Sequence, residues 1–159
     1  MTTSVTTEFC HDACILVVED SDEDFETLVE AARGAGITQT IHRAVSGGDC
    51  LALLRGQSET VGAHLPGVPA LVLMDLNSHG VDGREALVEI KSDAELKSIP
   101  VVVFTTSANP RDLTVCYQAG ANAYHVKPVR HDKYRSLVRA LLHYWLNTVT
   151  PSATALKVD

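Results

Sequence analysis

Apolar runs alternate with helix-spaced apolar positions along the whole chain. Ala13-Cys14-Ile15-Leu16-Val17-Val18 is a continuous apolar run that stops at Glu19 and Asp20, the pattern of a strand covered on both faces. Ser21 then opens a helical stretch in which Phe25, Leu28, Val29 and Ala32 share one face, and Gly34 and Gly36 end it. Thr38 to Val45 reads as a weaker strand, and Ser46 caps a short helix carrying Cys50, Leu51, Leu53 and Leu54. Residues 56–69 are loop, punctuated by glycine and proline. A third strand, Ala70 to Met74, stops abruptly at Asp75. Gly80 and Gly83 mark a turn before a helix with Ala86, Leu87 and Ile90. The fourth strand, Pro100 to Phe104, ends at Thr105-Thr106-Ser107, and a helix from Pro110 to Ala119 is stopped by Gly120. A fifth strand, Ala121 to Val126, runs into Lys127-Pro128, and a last helix covers roughly His131 to Asn147.

Five strand–helix pairs with crossovers of this length predict an α/β fold, a parallel sheet with helices on both faces. The pattern leaves residues 1–12 and 148–159 as tails around one domain at 13–147. On the last helix, Tyr134, Leu137, Val138, Leu141 and Trp145 make the core stripe. Leu142, Tyr144 and Leu146 lie partly off that stripe and Val149 continues past it; with Trp145 they suggest a surface for a partner.

Composition narrows the classes. The chain has 159 residues, 45% apolar and 21% charged, which is enough for one ordinary globular domain. With 13 Lys+Arg against 20 Asp+Glu, the net charge of −7 argues against a module that tracks nucleic-acid phosphates. No apolar run approaches the roughly 18–20 residues of a membrane span, and the N-terminus lacks the pattern of a secretory signal. Cys10 and Cys14 flank His11, but no second pair completes a metal site. The four cysteines therefore read as reduced thiols of a cytoplasmic protein.

The candidate chemistry stands at the strand ends, where function collects in such sheets. Strand one ends in Glu19-Asp20, strand three in Asp75, strand four in Thr105 and strand five in Lys127. Clustered carboxylates repel, and a hard divalent cation such as Mg²⁺ relieves that repulsion. A carboxylate can also attack phosphorus to form an aspartyl phosphate, whose oxygens a metal, an ammonium and a hydroxyl would hold. Each residue has an ordinary reading as well. Asp75 alone could be a turn residue, Lys127 a solvated loop residue, and the acids from Asp22 to Glu26 a helix N-terminus. Their joint occurrence at four strand ends favours the chemical reading.

These motifs resemble the CheY-like receiver domains of two-component response regulators, over about Ala13 to Trp145. ILVVEDSDED resembles the acidic end of the first strand, LVLMDLN the phosphoacceptor strand, VVVFTTSA the fourth strand, and AGANAYHVKPV the fifth strand with its Lys-Pro. The resemblance implies a doubly wound (βα)5 sheet of order 2-1-3-4-5. It implies that Asp75 accepts a phosphoryl group from a histidine kinase or a histidine phosphotransfer protein. Asp20 and Asp75 would hold Mg²⁺, with Glu19 close by or acting through water and the backbone carbonyl of Asn77 completing the site. Thr105, 22 residues before Lys127, would be the hydroxyl that moves toward the phosphate. Tyr124 would follow it, and Lys127 would pair with Asp75 or its phosphate. Such domains act as signalling proteins with at most autodephosphorylation, and the family commonly pairs through its last helices, so a homodimer is expected.

EDSDED, GVDGREAL, IPVVVFTTSANPRD and HYWLNTVTPS are similar to the stand-alone regulators that work with bacterial phytochromes. Ser78-His79 replaces the Leu/Met-Pro pair usual in the family, and His79 reads as a solvated loop residue. Two other readings fit less well. A haloacid-dehalogenase-type phosphatase needs a second acid where Asp75-Leu76-Asn77 has none, and a pseudo-receiver scaffold would have lost part of the acid–Asp–Lys set. A dinucleotide fold lacks its GxGxxG. One receiver and short tails use up the 159 residues, so output is expected through protein contacts.

Overall fold

The computed structural model describes residues 13–60, 62–77 and 82–152. In chain order these form β1 (Ile15–Val18), α1 (Asp22–Gly34), β2 (Ile41–Ala44), α2 (Gly47–Leu54), β3 (Leu71–Met74), α3 (Gly83–Ser92), β4 (Val101–Thr105), α4 (Pro110–Ala119), β5 (Ala123–Val126) and α5 (His131–His143), with a π-helical turn over Tyr144–Thr148. All five strands are parallel, in the order β2-β1-β3-β4-β5. The expected architecture is therefore present.

The three inner strands are buried throughout, which is why they read as unbroken apolar runs. Their residues alternate between two layers. Leu16, Val18, Val72, Met74, Val101 and Val103 pack toward α2, α3 and α4. Ile15, Val17, Leu71, Leu73, Val102 and Phe104 pack toward α1 and α5. The helix starts follow local chemistry: the Ser21, Ser46, Asp82 and Asn109 side chains each accept a backbone N–H in the first turn. Gly120 ends α4 at a φ of 105°, a conformation that favours glycine.

The edge strands are shorter than the sequence predicts. β5 begins at Ala123 because Asn122 bonds Val101 in both directions: its N–H donates to the Val101 carbonyl and its side-chain oxygen accepts the Val101 N–H, each at 2.9 Å. The expected helix to Asn147 ends at His143, and the following turn widens so that the Val149 N–H reaches the Tyr144 carbonyl.

The predicted partner surface needs correction. Leu142 is 1% exposed and Leu146 7%, both inside the layer beneath α1 and α5, and Trp145 packs against the same layer. A helix lying on a sheet buries a stripe three or four residues wide per two turns, broader than the one read from the sequence. Tyr144, 52% exposed, and half-buried Val149 remain at the surface. Past the turn, Val149, Pro151 and Ser152 are half-buried and Thr150 is exposed. Cys10 and His11 lie outside the described residues, while Cys14, Cys50 and Cys116 are buried free thiols, with burial pushing Cys50 up to about 12.

Candidate functional site

The strand order reverses between β1 and β3, and this opens a crevice at their carboxyl ends. Val18 pairs with Met74, and the Asp75 N–H donates to the Val18 carbonyl at 3.1 Å. The next residues, Glu19 and Asp75, are thereby set side by side. On the other flank, Thr105 pairs with Val126, and the Lys127 N–H reaches the Thr105 carbonyl at 2.7 Å. Sheet register alone thus brings residues from four strand ends to one place.

Lys127 closes the group. Its ammonium donates to Glu19 Oε2 at 2.8 Å and to Asp75 Oδ2 at 2.9 Å, lies 3.7 Å from Asp24, and sits over the Phe104 ring at 5.6 Å from its centre. The Lys127, Glu19 and Asp75 side chains are all nearly buried. Burial works against the charged form of each. For Asp75 the Lys127 charge, with the Asn77 N–H on Oδ1 at 3.1 Å, outweighs burial and holds the carboxyl below the usual range. For Glu19 burial wins and the carboxyl is raised. Lys127 loses to burial but gains more from its two acids, so its ammonium is held charged well above the ordinary range.

Thr105 is fully buried, and its hydroxyl oxygen accepts from the Asn77 amide and from the Ser107 N–H, each at 3.3 Å. Thr106 is exposed, so the register selects Thr105. Tyr124 packs against the α2–α4 layer and donates its hydroxyl to the Ser107 carbonyl at 2.8 Å. Asp20 is half-buried at the end of β1, beside Glu19. Residues 78–81, which include Ser78 and His79, lie outside the described residues.

Among the described residues no three acids, histidines or cysteines stand gathered around a cation position. The Lys127 ammonium supplies the counter-charge instead. The donor set nevertheless fits a hard cation: Glu19, Asp20 and Asp75 carboxylates and the Asn77 carbonyl offer oxygen alone, which suits Mg²⁺.

Two supports were not apparent in the sequence. Arg43, at the end of β2, donates to the Glu19 carbonyl at 2.8 Å, pairs with Asp22 at 2.6 Å and covers the Phe25 ring, which fixes the loop that carries the acids. Gly83, at the start of α3, meets the end of β3 so closely that a Cβ would stand 2.6 Å from the Asp75 carbonyl oxygen. The string GVDG contains this glycine, but nothing in it says what the glycine touches.

A profile of the response regulator receiver domain matches residues 15–139. Response regulator Rcp1 of Synechocystis sp. is 37% identical over 136 residues, 86% of this chain and 90% of that protein. The crystal structure of the phosphorylated cyanobacterial phytochrome response regulator RcpA superposes with a TM-score of 0.80 at 34% identity, covering 89% of this chain and 99% of that one. The Mn²⁺-bound form of Rcp1 gives 0.80 at 36% identity, with the same coverage. With the sheet order, the acid–Lys127 cluster and this match across most of its length, the chain belongs to the response regulator receiver domain family.

Proposed function

We propose that Asp75 accepts a phosphoryl group from the phosphohistidine of a histidine kinase or a histidine phosphotransfer protein. The observation that carries this reading is the Lys127 ammonium bonded at once to Glu19 and Asp75, next to the buried hydroxyl of Thr105. A carboxylate oxygen of Asp75 attacks phosphorus in line, the P–N bond breaks, and its electron pair returns to the imidazole. Such a transfer requires positioning and neutralisation of charge more than covalent assistance. Lys127 keeps the nucleophile ionised and holds one phosphoryl oxygen once it arrives.

Asp20, Asp75 and the Asn77 carbonyl would hold Mg²⁺, with Glu19 close by or acting through water; bound there, the ion would neutralise charge on the transferring phosphoryl group. The oxygen donor set and the Mn²⁺-bound relative support this assignment. After transfer, Thr105 turns toward the phosphate and Tyr124 follows, biasing a two-state arrangement of the β4–α4 and β5–α5 loops. The reading makes the chain a signalling protein with at most autodephosphorylation. We assign the receiver to 13–147, with tails at 1–12 and 148–159.

Phytochrome relatives support a bacterial phytochrome kinase as the donor. No described helix is long and apolar enough to cross a membrane, and the buried free thiols favour the cytoplasm. Output passes through protein contacts rather than nucleic acid or membrane. A homodimer would use the exposed side of the terminal turn around Tyr144; sedimentation as a monomer at high concentration, with and without phosphorylation, overturns the dimer. Incubation with a phosphorylated phytochrome kinase tests the main reading: label passes to this chain, and its complete retention on the kinase overturns the pairing.

A further inference from the structure

The loop between β4 and α4 is tied to the first turns of two helices. Ser107 uses every polar group it has: its N–H donates to Thr105 Oγ1 at 3.3 Å, its carbonyl accepts the Tyr124 hydroxyl at 2.8 Å, and its own hydroxyl donates to Asp112 Oδ2 at 2.6 Å. Asp112 Oδ1 is gripped by Arg84, from Nε at 2.9 Å and from the neighbouring guanidinium nitrogen at 2.8 Å. The third nitrogen of Arg84 donates to both oxygens of Asp82, at 3.0 and 2.9 Å, while the Arg84 N–H completes the helix cap on Asp82 at 2.8 Å. The path runs from β5, through the switch loop, to the starts of α4 and α3.

The Arg84 and Asp112 side chains are 27% and 18% exposed, so their pairing is partly shielded from solvent. The Ser107 hydroxyl, and then Arg84, hold the Asp112 carboxyl below its usual range, which keeps it charged near neutral pH. None of these bonds touches Asp75. They act on the loop whose Ser107 N–H occupies the hydroxyl of Thr105. For that hydroxyl to turn toward a group on Asp75 it must leave Ser107 and Asn77, and Ser107 is held on its far side by Asp112.

We propose that Arg84 and Asp112 are positioning residues that clasp the Ser107 loop in its unphosphorylated arrangement and so set how readily Asp75 is phosphorylated. The inference rests on the reading of Asp75 as phosphoacceptor. A clasp made in only one of two arrangements shifts their balance by its own strength. Losing a partly shielded ion pair of this kind should therefore speed phosphorylation roughly twofold to fivefold.

The test follows phosphorylation by acetyl phosphate and Mg²⁺ in the wild type, Arg84→Met, Asp112→Asn and the double variant. Amide NMR spectra of each unphosphorylated protein are recorded alongside. Both single variants should label faster by that factor, and their Thr105 and Ser107 amide resonances should move toward the positions they take in phosphorylated wild type. The double variant should go no further than either single one, because the two residues form one link. Labelled wild type with variants at its rate or slower, unmoved resonances, or additive effects in the double variant each overturn the clasp. A wild type that takes no label overturns the phosphoacceptor reading instead.

Discussion

The ammonium of Lys127 lies 2.9 Å from a carboxylate oxygen of Asp75, although 52 residues separate them in the chain. The same ammonium binds Glu19 across 108 residues. Replacing it by an apolar side chain leaves two buried carboxylates facing each other. Lys127→Met should cost about 3 kcal/mol near neutral pH, the scale of a broken buried ion pair. In the wild type Asp75 is depressed, so its stabilising contribution is present above the ordinary carboxylate range and is lost as pH falls through its folded value. Raised Glu19 works in the opposite sense, and its burden is relieved on acidification. Without Lys127, Asp75 joins Glu19 on the raised side. The deficit of the variant should then shrink as pH falls from about 7.5 to about 4.5. Urea unfolding at both pH values checks this, and a deficit that grows on acidification contradicts it.

Gly83 sets the depth at which α3 meets the end of β3. A Cβ would stand 2.6 Å from the Asp75 carbonyl oxygen and 3.0 Å from Leu76 Cα, and both are backbone atoms that cannot swing aside. Gly83→Ala should destabilise the domain by about 2 kcal/mol, the usual cost of overpacking. It should also slow phosphorylation, because relief of the clash displaces Asp75 itself. Thermal unfolding and a labelling time course measure the two effects.

The apolar framework and the site were legible in the sequence for the same reason. Each inner strand is an apolar run that ends in or just before a polar residue, so Glu19, Asp75 and Thr105 mark the strand ends and hence the crevice. Pro110 and Gly120 bracket α4 at the boundaries expected of them. What could not be read was side-chain pairing between elements distant in the chain. Arg84 meets Asp112 and Arg43 meets Glu19 only after the sheet has set its register, and no local pattern distinguishes those arginines from solvated ones. The width of the α5 stripe was hidden likewise, because it depends on how deeply the helix settles on the sheet.

That depth gives a further prediction. Leu142 is buried in the layer it shares with Val138 and Leu141. Leu142→Ala should cost about 2–5 kcal/mol of domain stability through the cavity it leaves. Its effect on self-association should be no more than that lost stability explains. Denaturant unfolding together with sedimentation separates the two; a folded variant of unchanged stability that has lost its dimer contradicts the burial.

Asp20 lies at the end of β1 beside Glu19, among the acids assigned to the cation. Asp20→Asn should lower Mg²⁺ affinity tenfold or more, about 1.4 kcal/mol, by loss of one carboxylate from a small oxygen set. Calorimetric titration of the unphosphorylated protein with Mg²⁺ gives the number. Affinity equal to wild type removes Asp20 from the site.

The most direct measurement is chemical trapping of the phosphorylated residue. The protein is incubated with acetyl phosphate and Mg²⁺, reduced with borohydride, which converts an aspartyl phosphate to homoserine, and mapped by peptide mass spectrometry. Homoserine should appear at position 75, require Mg²⁺, and be absent from Asp75→Asn. Reduction at another aspartate in the wild type, or equal label in Asp75→Asn, would contradict the assignment of Asp75 as the phosphoacceptor.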